Sequence, residues 1–489
     1  MSIPSSVLAA GTARDVSPSI YPGVVAYIAI AGVVLLLMML VGVVLRLAQA
    51  EWLPVPPDVF YEMMTAHGAG MVAIAGLAGA GIMWHFLSRH VRLNRGILIA
   101  NLVSFLAGVL MILAAIFLGG FGGGWTFLYP LPAISGGAWE PGAAALYLGG
   151  LLVVGVGFLL FYLDAGRAIV AEYGTLGAAL GWPVLFGRPQ ARLPEPTVVA
   201  STMVTIVNTL GLVSGAAVLA VSLINIAVPG FAVDALLAKN MIYFFGHVFI
   251  NATIYMTVVA VYEILPVYAG REWKASKPFL WGWTASTLMV LIAYPHHLLM
   301  DFVMPEWVLI VGQVASYTAG LPVLVVTAYG ALTLVYRSGI RWDAASSLLF
   351  LSMFGWAAGI VPAIVDATIM VNLVMHNTMW VPGHFHFYLL LGMTAMVFGF
   401  MYFLGHDGET GESVLDRLAV WVFALGGLGF AFVFLYSGKE GVPRRWAVHL
   451  PEWVAYDRFA SLFAVGVTAA VLVFVLRFLL RVPRLLVMR

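Results

Sequence analysis

About twelve stretches of this chain are apolar for long enough to cross a lipid bilayer, and no other feature restricts the fold as much. They fall roughly at 22–48, 58–88, 96–120, 143–168, 198–228, 237–266, 278–303, 307–336, 343–373, 382–405, 415–437 and 455–481. In hydrocarbon a chain must satisfy its own N–H and C=O groups, so segments of this length are expected as helices. Only 9% of the residues are charged and 62% are hydrophobic, too few charges to cover a water-soluble surface. The expected fold is all-α: a polytopic membrane helical bundle of about 12 transmembrane helices. It is read as one catalytic unit over 1–489, with a polar segment at 1–20. That segment has no apolar core before Tyr21, so no cleaved leader is expected.

Loop charges give an expected orientation. Arg89, Arg92 and Arg95 follow the second apolar stretch, and Arg167, Arg188 and Arg192 follow the fourth. Arg271, Lys274 and Lys277 follow the sixth, Arg337 and Arg341 the eighth, Arg417 the tenth, and Arg484 and Arg489 close the chain. The alternate loops hold almost no Lys or Arg. The positive-inside rule then puts both termini in the cytoplasm. Lys439, Arg444 and Arg445 break the pattern on the outer side, which suggests a specific anionic partner. A net charge of +1 says nothing about a nucleic-acid partner, and no basic run suggests one, so none is expected.

Apart from His85, close to the far end of the second stretch, six of the eleven histidines lie inside apolar stretches: His67, His247, His296, His297, His384 and His386. An imidazole in a bilayer is costly unless it binds a metal or a partner. With the expected topology, all six fall at one depth in the outer half of the membrane. A lone histidine there is usually a hydrogen-bonded packing residue, but six at one depth point to metals. His384 and His386 diverge by roughly 200° on a helix, so one helix can serve two cofactors. His296 and His297 diverge by about 100° and can share a metal only near a helix irregularity, for which Pro295 and Asp301 give the means. With no cysteine, the chain has no disulfide, iron–sulfur cluster or thiolate ligand of its own, so metals must use His, carboxylate, Met or Tyr.

These residues resemble subunit I of the haem-copper oxidase superfamily, in its B-type branch. His376-Asn377-Thr378-Met379-Trp380-Val381-Pro382-Gly383-His384-Phe385-His386 is similar to the tenth-helix signature, Tyr294-Pro295-His296-His297 to the seventh-helix pair, Gly246-His247 to the sixth-helix copper ligand, and His67-Gly68 to the second-helix haem ligand. Gly122-Gly123-Gly124-Trp125-Thr126 and Tyr129-Pro130-Leu131 resemble the loop after helix three. Val442-Pro443-Arg444-Arg445 resembles the loop near the haem propionates. The resemblance covers nearly the whole chain, in order. It implies that His67 and His386 are axial ligands of a low-spin haem and His384 the ligand of a high-spin haem, both expected to be b-type. His247, His296 and His297 would hold one copper, with iron the alternative. Three imidazoles without a carboxylate favour copper. Arg444, Arg445, His376 and Asn377 would meet the propionates.

One position departs from the family. The oxidases carry a Tyr four residues after the helix-six histidine; here the run is His247-Val248-Phe249-Ile250-Asn251. Splitting dioxygen takes four electrons, one of them from that Tyr. Two nitric oxide molecules need only two electrons and two protons to give nitrous oxide and water. An Asn251 amide could hydrogen-bond a bound nitrosyl oxygen, although it could equally be a packing amide. The first expectation is therefore reduction of nitric oxide to nitrous oxide, as in the B-type-like nitric oxide reductases where Asn replaces the Tyr. The alternative is a terminal respiratory oxidase, reducing dioxygen to water with proton translocation. In that case Tyr294 is the candidate for a Tyr supplied from helix seven. A non-enzymatic alternative, a haem-based gas sensor or a transporter, predicts no second metal or a broken-helix pair that the sequence lacks.

The resemblance also implies partners and a place. Electrons are expected from a small cupredoxin-like subunit II or a cytochrome c on the outer side, with Trp125 a possible part of the route. The membrane is expected to be a bacterial or archaeal plasma membrane. Tyr255, Tyr262 and Glu263 are expected to line a proton path from the cytoplasm, interrupted by Val258 and by the apolar run at 323–326. Glu62, Asp164, Asp301 and Asp366 are further acids at membrane depth, each as readily structural as functional.

Overall fold

The structure is a computed structural model and describes residues 21–188, 190–405 and 412–487. The polar 1–20 segment and the closing Arg489 lie outside the described residues. The helices of the bundle are α1 (Tyr21–Gln49), α2 (Pro57–Leu87), α3 (Arg95–Phe117), α4 (Pro141–Tyr173), α5 (Pro196–Ala227) and α6 (Ala235–Ala269). They continue as α7 (Lys277–Ile292), α8 (Glu306–Val335), α9 (Ala344–Asp366), α10 (Trp380–Leu404), α11 (Val414–Lys439) and α12 (Val454–Val487). Eleven are long and apolar enough to cross a membrane; α7, with 16 residues, falls short. Among the described residues there is no strand, only an isolated bridge between Thr378 and Pro443.

Local chemistry sets the ends. Pro57, Pro141 and Pro196 open α2, α4 and α5, where a missing N–H costs nothing. Asp343 and Ser413 start α9 and α11 with reciprocal capping boxes. Gly270 ends α6 at φ 61°, a left-handed conformation suited to glycine.

Consecutive helices pack side by side, and α12 returns to α1. Three helices form the centre. In α2, α6 and α10, 78%, 83% and 83% of the most apolar window is buried, against 22% in α8. These buried helices carry His67, His247, His384 and His386.

Two of the ligand-bearing segments leave α geometry. After Ile292 the chain makes a 3-10 turn over Tyr294–Leu298, the irregularity expected from Pro295. In α10, an α segment (Trp380–His386) runs into a π-helical one (Phe387–Thr394) before α geometry resumes at Ala395. Thr394 Oγ1 donates to the Leu389 carbonyl at 2.5 Å inside this wide turn. Hydropathy gave no sign of it, because the number of residues per turn leaves an all-apolar helix equally apolar. Two glycines let neighbouring helices touch this backbone: a Cβ on Gly355 would stand 2.5 Å from the Leu391 carbonyl carbon, and one on Gly438 would stand 2.0 Å from the Trp380 nitrogen.

Candidate metal centre

All six histidines of the apolar stretches line one internal cavity of about 470 Å³. The 3-10 turn brings His296 and His297 together: their Nε2 atoms lie 3.1 Å apart. Two nitrogens at ~2.0 Å from a tetrahedral ion stand roughly 3.3 Å apart, so this is the spacing of two ligands on one metal. His247 completes the group, and one nitrogen from each residue lies within 4.8 Å of the others. His247 Nε2 is buried with no hydrogen-bond partner. An orphaned imidazole nitrogen facing two others is costly without a cation to hold.

Neighbours hold the ligands in place. His296 Nδ1 lies 2.5 Å from Ser316 Oγ, which donates to the Gly312 carbonyl at 2.6 Å. The sequence reading missed Ser316, since one serine in α8 has no distinguishing pattern. Outer partners of this kind orient a ligand, and losing one commonly costs about 10–100-fold in metal affinity. Ser316→Ala is therefore expected to weaken metal retention by roughly that factor while the haem spectrum stays unchanged. Metal analysis after graded chelation checks this; equal retention would show that Ser316 only packs. Asn251 Nδ2 donates to the His247 carbonyl at 2.8 Å and stands 3.4 Å from His247 Nδ1. The Asn251 amide N–H thus turns to the main chain of its own helix.

His67 and His386 share another arrangement. His67 Nδ1 is bonded to the Met38 carbonyl at 2.7 Å, and His386 Nδ1 to the Pro382 carbonyl at 2.6 Å. A carbonyl only accepts, so each Nδ1 carries the proton and each Nε2 keeps its lone pair for the cavity. Gly42 backs His67 so closely that a Cβ there would stand 2.8 Å from its Cε1. This donor set fits two axial ligands of a haem. Phe430 and Phe434 pack edge-on against His386. His384 projects from the same turn of α10, with Tyr388 edge-on at 6.3 Å.

The arginine loop is tied to the ligand-bearing segment by main-chain bonds, from Met379 N to the Val442 carbonyl at 2.8 Å and from Arg444 N to the Asn377 carbonyl at 3.0 Å. Arg445 holds a left-handed backbone at φ 67°, unusual for a side chain with a Cβ and typical of functional loops. Burial and the adjacent Arg445 charge lower Arg444 to about 10. Among the described residues neither arginine forms an ion pair, and His376 Nδ1 is buried without a partner. A cationic corner of this kind suits an anionic group such as a propionate.

A family model, Cytochrome C and Quinol oxidase polypeptide I, matches residues 23–472. The chain belongs to the haem-copper oxidase subunit I family. That family is one of multi-pass membrane proteins that bind haems and copper. It is 23% identical over 245 residues to cytochrome c oxidase polypeptide 1 of Halobacterium salinarum, covering 49% of this chain and 41% of that one. It is 27% identical over 267 residues to cytochrome c oxidase subunit 1 of Thermus thermophilus, covering 50% and 46%. With subunit 1 of Thermostichus vulcanus the identity is 22% over 459 residues, covering 90% and 79%. The chain thus matches less than half the length of the first two relatives. A solved heme-copper terminal oxidase dimer superposes with a TM-score of 0.75 at 20% identity, covering 96% of this chain and 84% of that one.

The residues of the expected proton path do not fall on one line in the structure. Tyr255 packs between Trp283 and Trp356. The Tyr262 hydroxyl shares a 2.7 Å bond with Thr327 and accepts from Trp283 Nε1 at 3.2 Å. Thr327 lies just past the apolar run thought to block the way. Glu263 faces elsewhere, toward Arg89 at 3.5 Å, His90 at 3.3 Å and the Thr197 hydroxyl. Adjacent residues on a helix diverge by about 100°, which separates Tyr262 from Glu263. Of the other acids, Asp164 is tied to Arg167 and to the Asn94 nitrogen. Asp301 pairs with Lys239 at 2.5 Å; burial pushes its carboxyl up, but Lys239 and the Val303 N–H outweigh that and hold it below the usual range. Asp366 lines the cavity and accepts from Asn372. Tyr294 donates to Asn240, not to the histidines. Trp125 packs directly over Gly68, the residue after His67.

Proposed function

We propose that this chain is the catalytic subunit of a membrane-bound reductase of a small diatomic molecule, and that the molecule is dioxygen. The convergence of all six histidines on one cavity carries the reading. His67 and His386 would hold a low-spin haem, His384 a high-spin haem, and His247, His296 and His297 a copper ion. When bound, these groups supply electron storage and an open coordination site. The chain's own residues fix the imidazoles through Met38, Pro382 and Ser316, and Arg444 and Arg445 would meet the haem-edge anions. The histidine end of the bundle would face outward, with both termini cytoplasmic. A cupredoxin-like subunit or cytochrome c would deliver electrons near Trp125.

The choice of dioxygen reverses the order expected from Asn251. The relatives above carry oxidase names, and further ones are named quinol oxidase or alternative cytochrome c oxidase. The nitric oxide argument needed an amide N–H aimed at the substrate, whereas Asn251 Nδ2 donates to the His247 carbonyl. A phenol is present in the cavity as well: Tyr243 stacks on His297 with ring centres 5.4 Å apart, and a phenol can give one electron and one proton. Nitric oxide reduction stays as a second reading because position 251 lacks the oxidase Tyr.

Turnover of purified protein with a reduced donor, following the two gases separately, tests the choice. Dioxygen use is expected to exceed nitric oxide loss; the reverse would overturn this reading. Asn251→Ala is expected to lower dioxygen turnover by about tenfold, with a matching fall in copper, as for any outer brace of a ligand. A selective loss of nitric oxide turnover with copper retained would instead favour the second reading.

A further inference from the structure

A second buried cluster of ionisable side chains closes the His67–His386 end of the cavity. It joins Arg46 near the end of α1, Asp457 at the start of α12, and His449 in the loop between α11 and α12. His449 Nδ1 lies 2.7 Å from Asp457 Oδ2, with the two side chains 0% and 4% exposed. Arg46 Nη1 lies 3.4 Å from Asp457 Oδ1. Gln49 Nε2 donates to the Trp446 carbonyl at 2.6 Å and stands 3.2 Å from His449 Nε2. Gln49 Oε1 is buried with no partner. The Trp453 ring covers His449. Two other nearby charges, Glu51 and Arg458, face each other at 4.0 Å, and Arg458 also donates to the Ala50 carbonyl.

The cluster reaches the cavity directly. Arg46 and Gln49 both line it. The Arg46 guanidinium lies 5.0 Å over the Phe434 ring, which meets the His386 imidazole at 5.4 Å.

The hydrogen bonds match a neutral His449: Nδ1–H donates to Asp457 and Nε2 accepts from Gln49. A second proton on Nε2 would oppose the Gln49 N–H. A swing of the Gln49 side chain that gives up its bond to the Trp446 carbonyl would then present Oε1, which has no donor in the first state. Arg46 and Asp457 cancel in charge, so the first state is neutral and the second carries +1. An electron arriving beside His386 adds a negative charge in a poorly screened interior and favours the second state.

We propose that His449 is a proton-binding site coupled to the electron held between His67 and His386. The Nε2–H bond forms, with a proton from water at the histidine end of the bundle, as the electron arrives. It breaks as the electron moves on toward the three-histidine group. The proposal rests on the reading that His67 and His386 hold a low-spin haem.

Equilibrium redox titration of the whole protein, following the low-spin haem band from about pH 6 to about pH 9, tests it. The midpoint is expected to fall as pH rises, by up to ~59 mV for each tenfold change in proton activity in a one-electron step. In His449→Phe the slope is expected to flatten. In Asp457→Asn, which keeps the side-chain shape, the slope is expected to flatten as well, because a proton on the ring would no longer face a carboxylate. A merely structural role would shift the midpoint equally at every pH. A wild-type midpoint independent of pH, or a slope unchanged in both variants, overturns the proposal. Absence of any low-spin haem band in the wild type overturns the haem reading instead.

Discussion

A His386→Ala protein is expected to lose the low-spin haem and fall below about 1% of wild-type turnover, a greater loss than removal of an outer partner causes. His386 Nδ1 is anchored to the Pro382 carbonyl one turn earlier on its own helix, while His67 is anchored to Met38 on α1. The two are therefore held from different helices, and neither can move to take the other's place. Optical spectra and haem extraction provide the readout: one haem per chain in place of two, with the remaining one high-spin. The same variant should keep its copper, since the three-histidine group draws on α6 and the turn after α7. Retention of both haems would show that the low-spin ligands lie elsewhere.

Removing a ligand from the other centre should have the opposite pattern. His297→Ala is expected to abolish copper binding and reduce gas turnover by more than about 100-fold, with both haems still present. The remaining pair, His247 and His296, would offer two nitrogens where four-coordinate ions of this class ask for three or more from protein. Tyr243, stacked on His297, would also lose its packing surface. Metal analysis separates the outcomes: near-stoichiometric copper in this variant would place the ion at other residues, and three irons with no copper per wild-type chain would refute copper.

Much of this arrangement was legible in the chain. The helix bounds follow the apolar stretches closely because hydrophobic length is what a bilayer selects. The six histidines could be read as one site because each is a costly exception in its segment. Pro295 announced the turn that lets His296 and His297 converge. Other features left no such mark. Ser316, Thr327 and Gln49 are ordinary polar residues whose importance depends on what another helix places opposite them. Arg46 did carry a signal, a guanidinium within the first apolar stretch, but its partners Asp457 and His449 lie some four hundred residues away in sequence. Asn251 shows another case: the sequence marks it as a departure at a known position, but the direction of its amide depends on a bond to the His247 carbonyl one turn earlier.

The wide turn in α10 makes chain length a determinant of chemistry. A π segment holds an extra residue relative to the α-helix it interrupts. Below it, Ala395–Leu404 is locked in the core; above it, His384 and His386 line the cavity, where on the proposed reading they would serve two different cofactors. Deleting one residue between Phe387 and Thr394 would let the stretch close as an ordinary helix and rotate the upper part by about 100° against the lower. Both imidazoles would then leave the cavity together, although neither had been altered. The register of this helix sets the phase between a fixed anchor and a pair of metal ligands, so a change in residue count there would act like the loss of both histidines.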